Sequence, residues 1–396
     1  MQNITGGDFM DYEYDIRITG GKVIDFETMQ VSEKDICIRE GVFCSYDGGQ
    51  AQFEVDASGK YVLPGLIDEH VHLNVSNSNI GANADLLCIP MGVTTAVDAG
   101  TCGWTNFEGF YRYNMVRYVP DVLGYLHVSP YGVHSGCIHE ENHDPADFNE
   151  KEILKIAKKY KEAIAGLKVR MCRATLGSYG IEPLKRTVEI ADHMEAVTKK
   201  RAVVDVHYDN LPEGIRVEDI LDVLRPGDIV SHIMQTHGDT IFSEEGTVKE
   251  AVLQARKRGI IMDDCHGRVH WSFENLKKAF ADGFYPDIIS SDVVRISSYI
   301  RPGSSLLHAM MTDRAAGMDD RRIFRAVTYA PAKVLGILDR AGTLEEGRPA
   351  DVCIMDVQNY DAVLKDWWGG SCRAEKAYVP LMTIKDGVIV YRQTFF

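Results

Sequence analysis

The alternation of apolar and polar positions changes twice along the chain. Over residues 12–63 it has a period of two, as in Tyr14-Asp15-Ile16-Arg17-Ile18 and Asp35-Ile36-Cys37-Ile38-Arg39. That period marks half-buried strands, and Gly20-Gly21 and Gly41 interrupt it as turns do. From residue 66 short apolar runs alternate with stretches of helical periodicity, the pattern of a parallel sheet wrapped in helices. Strands are expected at 65–72, 94–98, 124–128, 167–171, 202–207, 228–232, 259–264 and 287–292. The clearest helix is 152–165, where Ile153, Ile156, Ala157, Tyr160 and Ile164 share one face and Gly166 follows as a stop. The period of two returns near the end, with a strand at Val352–Met355 and a hairpin around Asp386-Gly387.

Eight strand–helix alternations predict an α/β fold, a (β/α)8 barrel of the TIM type over 65–345. Residues 1–64 and 346–396 are expected to pair into one small β-sandwich domain built from both chain ends. In such a barrel the chemistry lies at the C-terminal ends of the strands. Here those ends carry His70 and His72, Lys168, His207, His232 and Asp292. Alternation puts Asp68, His70 and His72 on one side of the first strand. Barrel interiors usually hold branched apolar side chains, so polar groups at these positions need partners. A single His-x-His is common and says little alone; the whole set landing on strand ends is what points to a metal site. Lys168 is open to two readings. It can pair with Asp205 or Asp209, or burial can free its amine to add carbon dioxide and become a carbamate with two ligand oxygens.

Net charge is −15, from 58 acidic and 43 basic residues, which disfavours a nucleic-acid or anionic-membrane binder. No secretory signal or membrane-length apolar run is apparent. The nine cysteines, Cys37, Cys44, Cys88, Cys102, Cys137, Cys172, Cys265, Cys353 and Cys372, show no C-x-x-C spacing and predict free thiols in a reducing cytoplasm.

Several longer stretches carry a resemblance: Pro64-Gly65-Leu66-Ile67-Asp68-Glu69-His70-Val71-His72, Gly92-Val93-Thr94-Thr95 with Asp98-Ala99-Gly100, Gly166-Leu167-Lys168-Val169-Arg170, Ser291-Asp292, Ala330-Pro331-Ala332 and Gly347-Arg348-Pro349-Ala350-Asp351. Together they resemble the amidohydrolase superfamily, in its binuclear-metal branch near dihydroorotases and D-aminoacylases. Arg225-Pro226-Gly227-Asp228-Ile229-Val230-Ser231-His232 and His266-Gly267 with Ser272-Phe273 are similar to a bacterial deacetylase subgroup often labelled adenine deaminase or dihydroorotase. Two loops depart from that pattern: residues 233–239 with the extra His237, and Arg268-Val269-His270.

The resemblance implies two divalent metal ions, zinc being expected. His70, His72 and Asp292 hold the more buried one, His207 and His232 the other, and carboxylated Lys168 bridges them. It further implies a hydroxide between the ions and Asp292 as the catalytic proton carrier. The expected activity is cleavage of an amide or ester acyl bond on a small carboxylate-bearing substrate. Arg170 and Arg173 are candidates to clamp the carboxylate and His266 to reach the carbonyl, and His127, His134, His139, His143, His237 and His270 are unranked loop candidates. The competing readings are a cyclic-amide hydrolase, a nucleobase deaminase and a non-catalytic scaffold. Mononuclear deaminases of the superfamily tend to lack the bridging lysine, which argues against the deaminase. A small-molecule substrate and a possible homo-oligomer complete the expectation.

Overall fold

The computed structural model describes residues 12–133, 141, 143–300 and 305–396; His134, Cys137 and His139 lie outside them. Seven parallel strands form one sheet in sequence order: β1 Leu66–Val71, β2 Val93–Asp98, β3 Asp121–His127, β4 Ile164–Met171, β5 Val203–Tyr208, β6 Ile229–Ser231 and β7 Ile261–Asp263. Side chains alternate across it. Leu167, Val169, Val204 and Val206 enter the apolar layer shared with the helices. Lys168 and Asp205, paired in register on β4 and β5, are buried polar residues.

The eighth position is closed without a ladder. Residues 287–292, expected as a strand, make single bonds instead. On one side Asp264 N–H donates to Ile288 O (3.1 Å) and His266 N–H to Ser290 O (3.1 Å); on the other Asp292 N–H donates to His70 O (2.7 Å). Two features interrupt the extended run. Asp292 sits at φ +47°, and Ser290 and Ser291 spend their hydroxyls on Asp263 and Asp68. The segment therefore joins β7 to β1 while leaving Asp292 turned out of the strand direction.

The helix expected at 152–165 runs Glu150–Lys159, capped by Asn149, and Ile164 opens β4 instead of ending the helix. Gly166 is not its stop. It lies inside β4, where a Cβ would come within 1.8 Å of Val203 O, so glycine is what lets β4 and β5 approach.

Both chain ends build the flanking sheets. Tyr14–Thr19, Ile36–Arg39, Val42–Cys44 and Ala51–Asp56 form a four-stranded sheet. A six-stranded sheet joins Lys22–Asp25, Gln30–Glu33 and Tyr61–Pro64 to Val352–Lys365, Ser371–Lys385 and Val388–Arg392. Between them Ile18, Ile38, Val352, Ile354 and Ile384 are fully buried. Only the two ends of the long hairpin Val352–Lys385, at Val352–Met355 and before Asp386-Gly387, are legible as strands in the sequence. Its tip returns to the barrel: Trp368 Nε1–H donates to Val269 O at 3.0 Å, and Asp366 Oδ2 accepts from Phe273 N–H at 2.9 Å. No helix of the described residues is long and apolar enough to cross a membrane.

Candidate metal centre

The strand ends bring five of the expected ligands together. His70, His72 and Asp292 place ligand atoms within 4.8 Å of one another, and so do His207, His232 and His270. The rings of His70 and His232, 5.3 Å apart, link the two groups. Backbone strain gathers here. His232 (φ +73°), Cys265 (φ +40°) and Asp292 (φ +47°) all occupy the left-handed region, at a cost on the order of 1–3 kcal/mol each. The turns at the ends of β6, β7 and the closing segment thereby aim side chains across the mouth.

Hydrogen bonds on the far ring nitrogens decide which near nitrogens are free. Thr101 Oγ1–H donates to Asp98 Oδ2 (2.8 Å), so its oxygen accepts from His72 Nδ1–H (2.8 Å). His72 Nε2 is then proton-free in the neutral ring and faces Asp292 Oδ1 at 3.2 Å. Two lone pairs facing across that gap repel unless they share a cation. His232 Nδ1 lies 2.6 Å from Cys265 O, an acceptor, which places the proton on Nδ1 and leaves Nε2 open. His207 Nε2 is buried with no hydrogen-bond partner among the described residues. Burial pushes His70, His207 and His232 well below the ordinary imidazole range, helped by Lys168 and neighbouring histidines. Neutral imidazole is the form that ligates. Burial alone would raise Asp292; a positive charge on its His72 side, whether a second ring proton or a metal ion in its place, outweighs burial and lowers it. This donor set fits metal ions.

Lys168 reaches the cluster through Asp205, which accepts from Lys168 Nζ and, at 2.7 Å, from Ser231 Oγ. Asp205 Oδ2 is also 3.4 Å from His70 Nδ1. β1 departs from simple alternation. Its register shifts between Asp68 and Val71, Asp68 turns to Ser291, and Glu69 comes within ligand distance of His70 and Asp263. Glu69 Oε1 accepts from the Tyr125 hydroxyl, and burial raises both Glu69 and Asp263 far above the carboxylate range.

Two of the three expected substrate contacts are already engaged by carboxylates. Arg170 Nη1 donates to Glu141 Oε2 at 2.6 Å. Arg173 is exposed on the short helix Arg173–Leu176. His266 is 1% exposed, with Nε2 between Asp264 (2.8 Å) and Asp313 (3.1 Å) and its ring against Trp271. Burial alone would lower it; the two carboxylates outweigh burial and raise it to about 10. The residues to which the sequence alone assigns no part in the metal site are His270, Asp205, Asp209 and Thr101. For His270 the signal was present, because its loop breaks the pattern of the resembling proteins. Asp205 and Asp209 were visible only as partners of Lys168.

A parallel barrel whose strand ends offer neutral imidazoles and an ionised aspartate defines a metal-dependent hydrolytic enzyme. The comparisons give the family. The amidohydrolase family profile matches residues 61–390, and the chain belongs to that family. A deacetylase of Enterococcus faecalis is 26% identical over 378 residues, covering 95% of this chain and 99% of that protein. A crystal structure described as an adenine deaminase superposes with a TM-score of 0.87 at 26% identity, covering 96% of this chain and 100% of the other. A crystal structure described as a dihydroorotase gives 0.84 at 27% identity, covering 96% and 99%.

Proposed function

We propose that the protein is a two-metal acyl hydrolase of the deacetylase kind, cleaving an amide or ester on a small carboxylate-bearing substrate. The observation that carries this is the facing pair His72 Nε2 and Asp292 Oδ1, 3.2 Å apart, with the His72 proton committed to Thr101. His70, His72 and Asp292 would hold the inner ion and His207 and His232 the outer one. Lys168, as a carbamate, would bridge them. Nitrogen-rich ligands favour zinc. When bound, such ions make water a competent nucleophile at neutral pH and polarise the scissile carbonyl. Asp292, ionised and at the mouth, takes the proton from the attacking water and returns it to the leaving group. Asp205, 3.4 Å from His70 Nδ1, is the carboxylate that would orient that ring on an ion. A substrate carboxylate would compete with Glu141 for Arg170, and Arg173, exposed on the short helix after β4, is the other candidate for it.

Residues 65–345 are the catalytic unit in this reading, with 1–64 and 346–396 flanking it. The eight described cysteines are free thiols, in keeping with a reducing cytoplasm. The structures described as an adenine deaminase and a dihydroorotase motivate the second reading, attack on a nucleobase or a cyclic amide. One screen separates them. Metal-loaded protein is offered N-acyl amino acids, O-acyl hydroxy acids, cyclic imides and adenine, with acid release, ring opening and ammonia scored separately. Acyl cleavage is the expected result. Ammonia from adenine without acyl cleavage replaces this reading by the second.

A further inference from the structure

Resting on the two-ion reading above, we infer that His270 is a third imidazole ligand of the outer ion, delivered by a loop that the C-terminal hairpin pins in place. His270 lies after β7, outside the strands that supply the other candidate ligands. Its ring centroid is 4.4 Å from that of His232 and 5.1 Å from that of His207, whose own rings are 4.4 Å apart. The donor atoms of all three fall within 4.8 Å. Donors on one tetrahedral zinc lie roughly 3.4 Å apart, from zinc–nitrogen bonds of about 2.0–2.1 Å. Small torsions of three side chains close that difference.

Chemistry separates this trio from a chance cluster. His232 commits Nδ1 to Cys265 O, which turns Nε2 toward the other two rings, and His207 Nε2 is buried with no hydrogen-bond partner among the described residues. The His270 ring, edge-on to His207 and tilted against His232, brings a further nitrogen to the same spot, where a shared cation would satisfy all three; the other group in reach is Cys265 Sγ, 3.9 Å from His232 Nε2. Asp209 Oδ2, two residues beyond His207, stands 3.6 Å from His270 Nδ1. A carboxylate on the far nitrogen of a histidine is the arrangement that orients metal-binding imidazoles.

The loop is also held from outside the barrel. Trp368 Nε1–H donates to Val269 O, one residue before His270. Arg268 lies 4.9 Å over the Trp367 ring, and Asp366 takes the Phe273 N–H. The His237 ring rests 4.4 Å from Trp368. The two loops that depart from the resembling proteins thus meet on one hairpin tip. That tip fixes where His270 points.

The test is metal binding, read without turnover. Full-length protein is stripped with a chelator and titrated with cobalt(II), then zinc(II), for wild type, His270→Ala, His270→Gln, Asp209→Asn and Trp368→Phe. Stoichiometry comes from elemental analysis, affinity from chelator competition, and ligand number from the cobalt visible spectrum. Circular dichroism of the stripped proteins reports folding. Wild type binds two ions, and His270→Ala weakens the looser one by at least about tenfold, with a spectral change for a lost nitrogen. Asp209→Asn and Trp368→Phe weaken the same ion less than His270→Ala does, Asp209→Asn by up to about tenfold on the scale of outer-shell orienting groups. If His270→Ala does not fold, His270→Gln and Asp209→Asn carry the test. Two ions held with wild-type affinity and spectrum in the folded His270 variants overturn this inference alone. Wild type that binds no second ion overturns the two-ion reading beneath it.

Discussion

His72 and His127 sit two strands apart on the same barrel mouth, and each faces a carboxylate oxygen. Asp292 Oδ1 is 3.2 Å from His72 Nε2, and Glu141 Oε1 is 3.1 Å from His127 Nε2. Each belongs to a trio whose ligand atoms lie within 4.8 Å, His70–His72–Asp292 in one case and His127–Glu141–His143 in the other. The far nitrogens differ. His72 Nδ1 gives its proton to Thr101. His127 Nδ1 accepts the Ser129 backbone N–H at 2.9 Å, so in the neutral ring the proton lies on Nε2, the nitrogen 3.1 Å from Glu141 Oε1. Glu141 is further taken by Arg170 and by His143 Nε2 at 2.6 Å. A metal on His127 Nε2 would force a proton onto Nδ1, against the Ser129 donor. Closeness of ligand atoms is therefore a poor criterion for a metal site; the hydrogen bond behind each ring decides.

The largest effect that can break this contrast lies at the two carboxylates. Asp292→Asn should lower kcat by about 10²–10⁴-fold, the range for loss of a general acid–base group. Glu141→Gln should leave kcat within about tenfold, because its carboxylate serves Arg170 and two histidines. Steady-state rates on whichever acyl substrate the screen returns measure both. An active Asp292→Asn enzyme removes that residue from proton transfer and ends the contrast.

A smaller effect sharpens the argument about protons. Thr101→Val keeps the shape of the side chain but removes the oxygen behind His72. The inner ion should weaken by about 10–100-fold, as for other outer-shell partners of metal-binding histidines. Asp98 keeps its bonds from Leu73 N–H and Thr101 N–H, so the loop itself should hold. Chelator competition on the variant reads the change, and unaltered affinity would show that the tautomer of His72 is set by something else.

The parts of this site that the sequence displays are those within one strand. His70, His72, Lys168, His207, His232 and Asp292 are visible because alternation on short apolar runs aims them inward. The closing segment has the apolar residues of a strand, Ile288 and Ile289, but the left-handed turn at Asp292 has no periodic signature. Asp68 was expected beside His70 and instead serves Ser291, because a bulge in β1 breaks the period of two. Arg170 shares a face with Lys168 in the sequence reading, yet Glu141, nearly thirty residues upstream, reaches it first. The pairing of Trp368 with Val269 spans 99 residues and leaves no local trace. What periodicity cannot encode is contact between loops, and loops carry most of what surrounds the candidate ligands.

The smallest expected effect concerns the stability of the second trio and has a definite sign with pH. Burial alone would raise the Glu141 carboxyl, but Arg170, His127 and His143 outweigh it and hold it well below the carboxylate range. A carboxylate depressed in the folded state adds stability that is present above its unfolded pKa, about 4.3, and is lost as pH falls toward the folded value. Glu141→Gln should therefore destabilise the protein by about 2 kcal/mol at pH 7, the scale of a charge-assisted hydrogen bond. The deficit should stay level down to roughly pH 5 and then shrink as the wild-type carboxylate begins to take up protons. Urea unfolding of both proteins at pH 7, 5.5 and 4 measures it, with metal content recorded alongside. The variant should keep its ions throughout. An ion lost together with Glu141 would make His127 and His143 ligands after all, and the difference between the two trios would disappear.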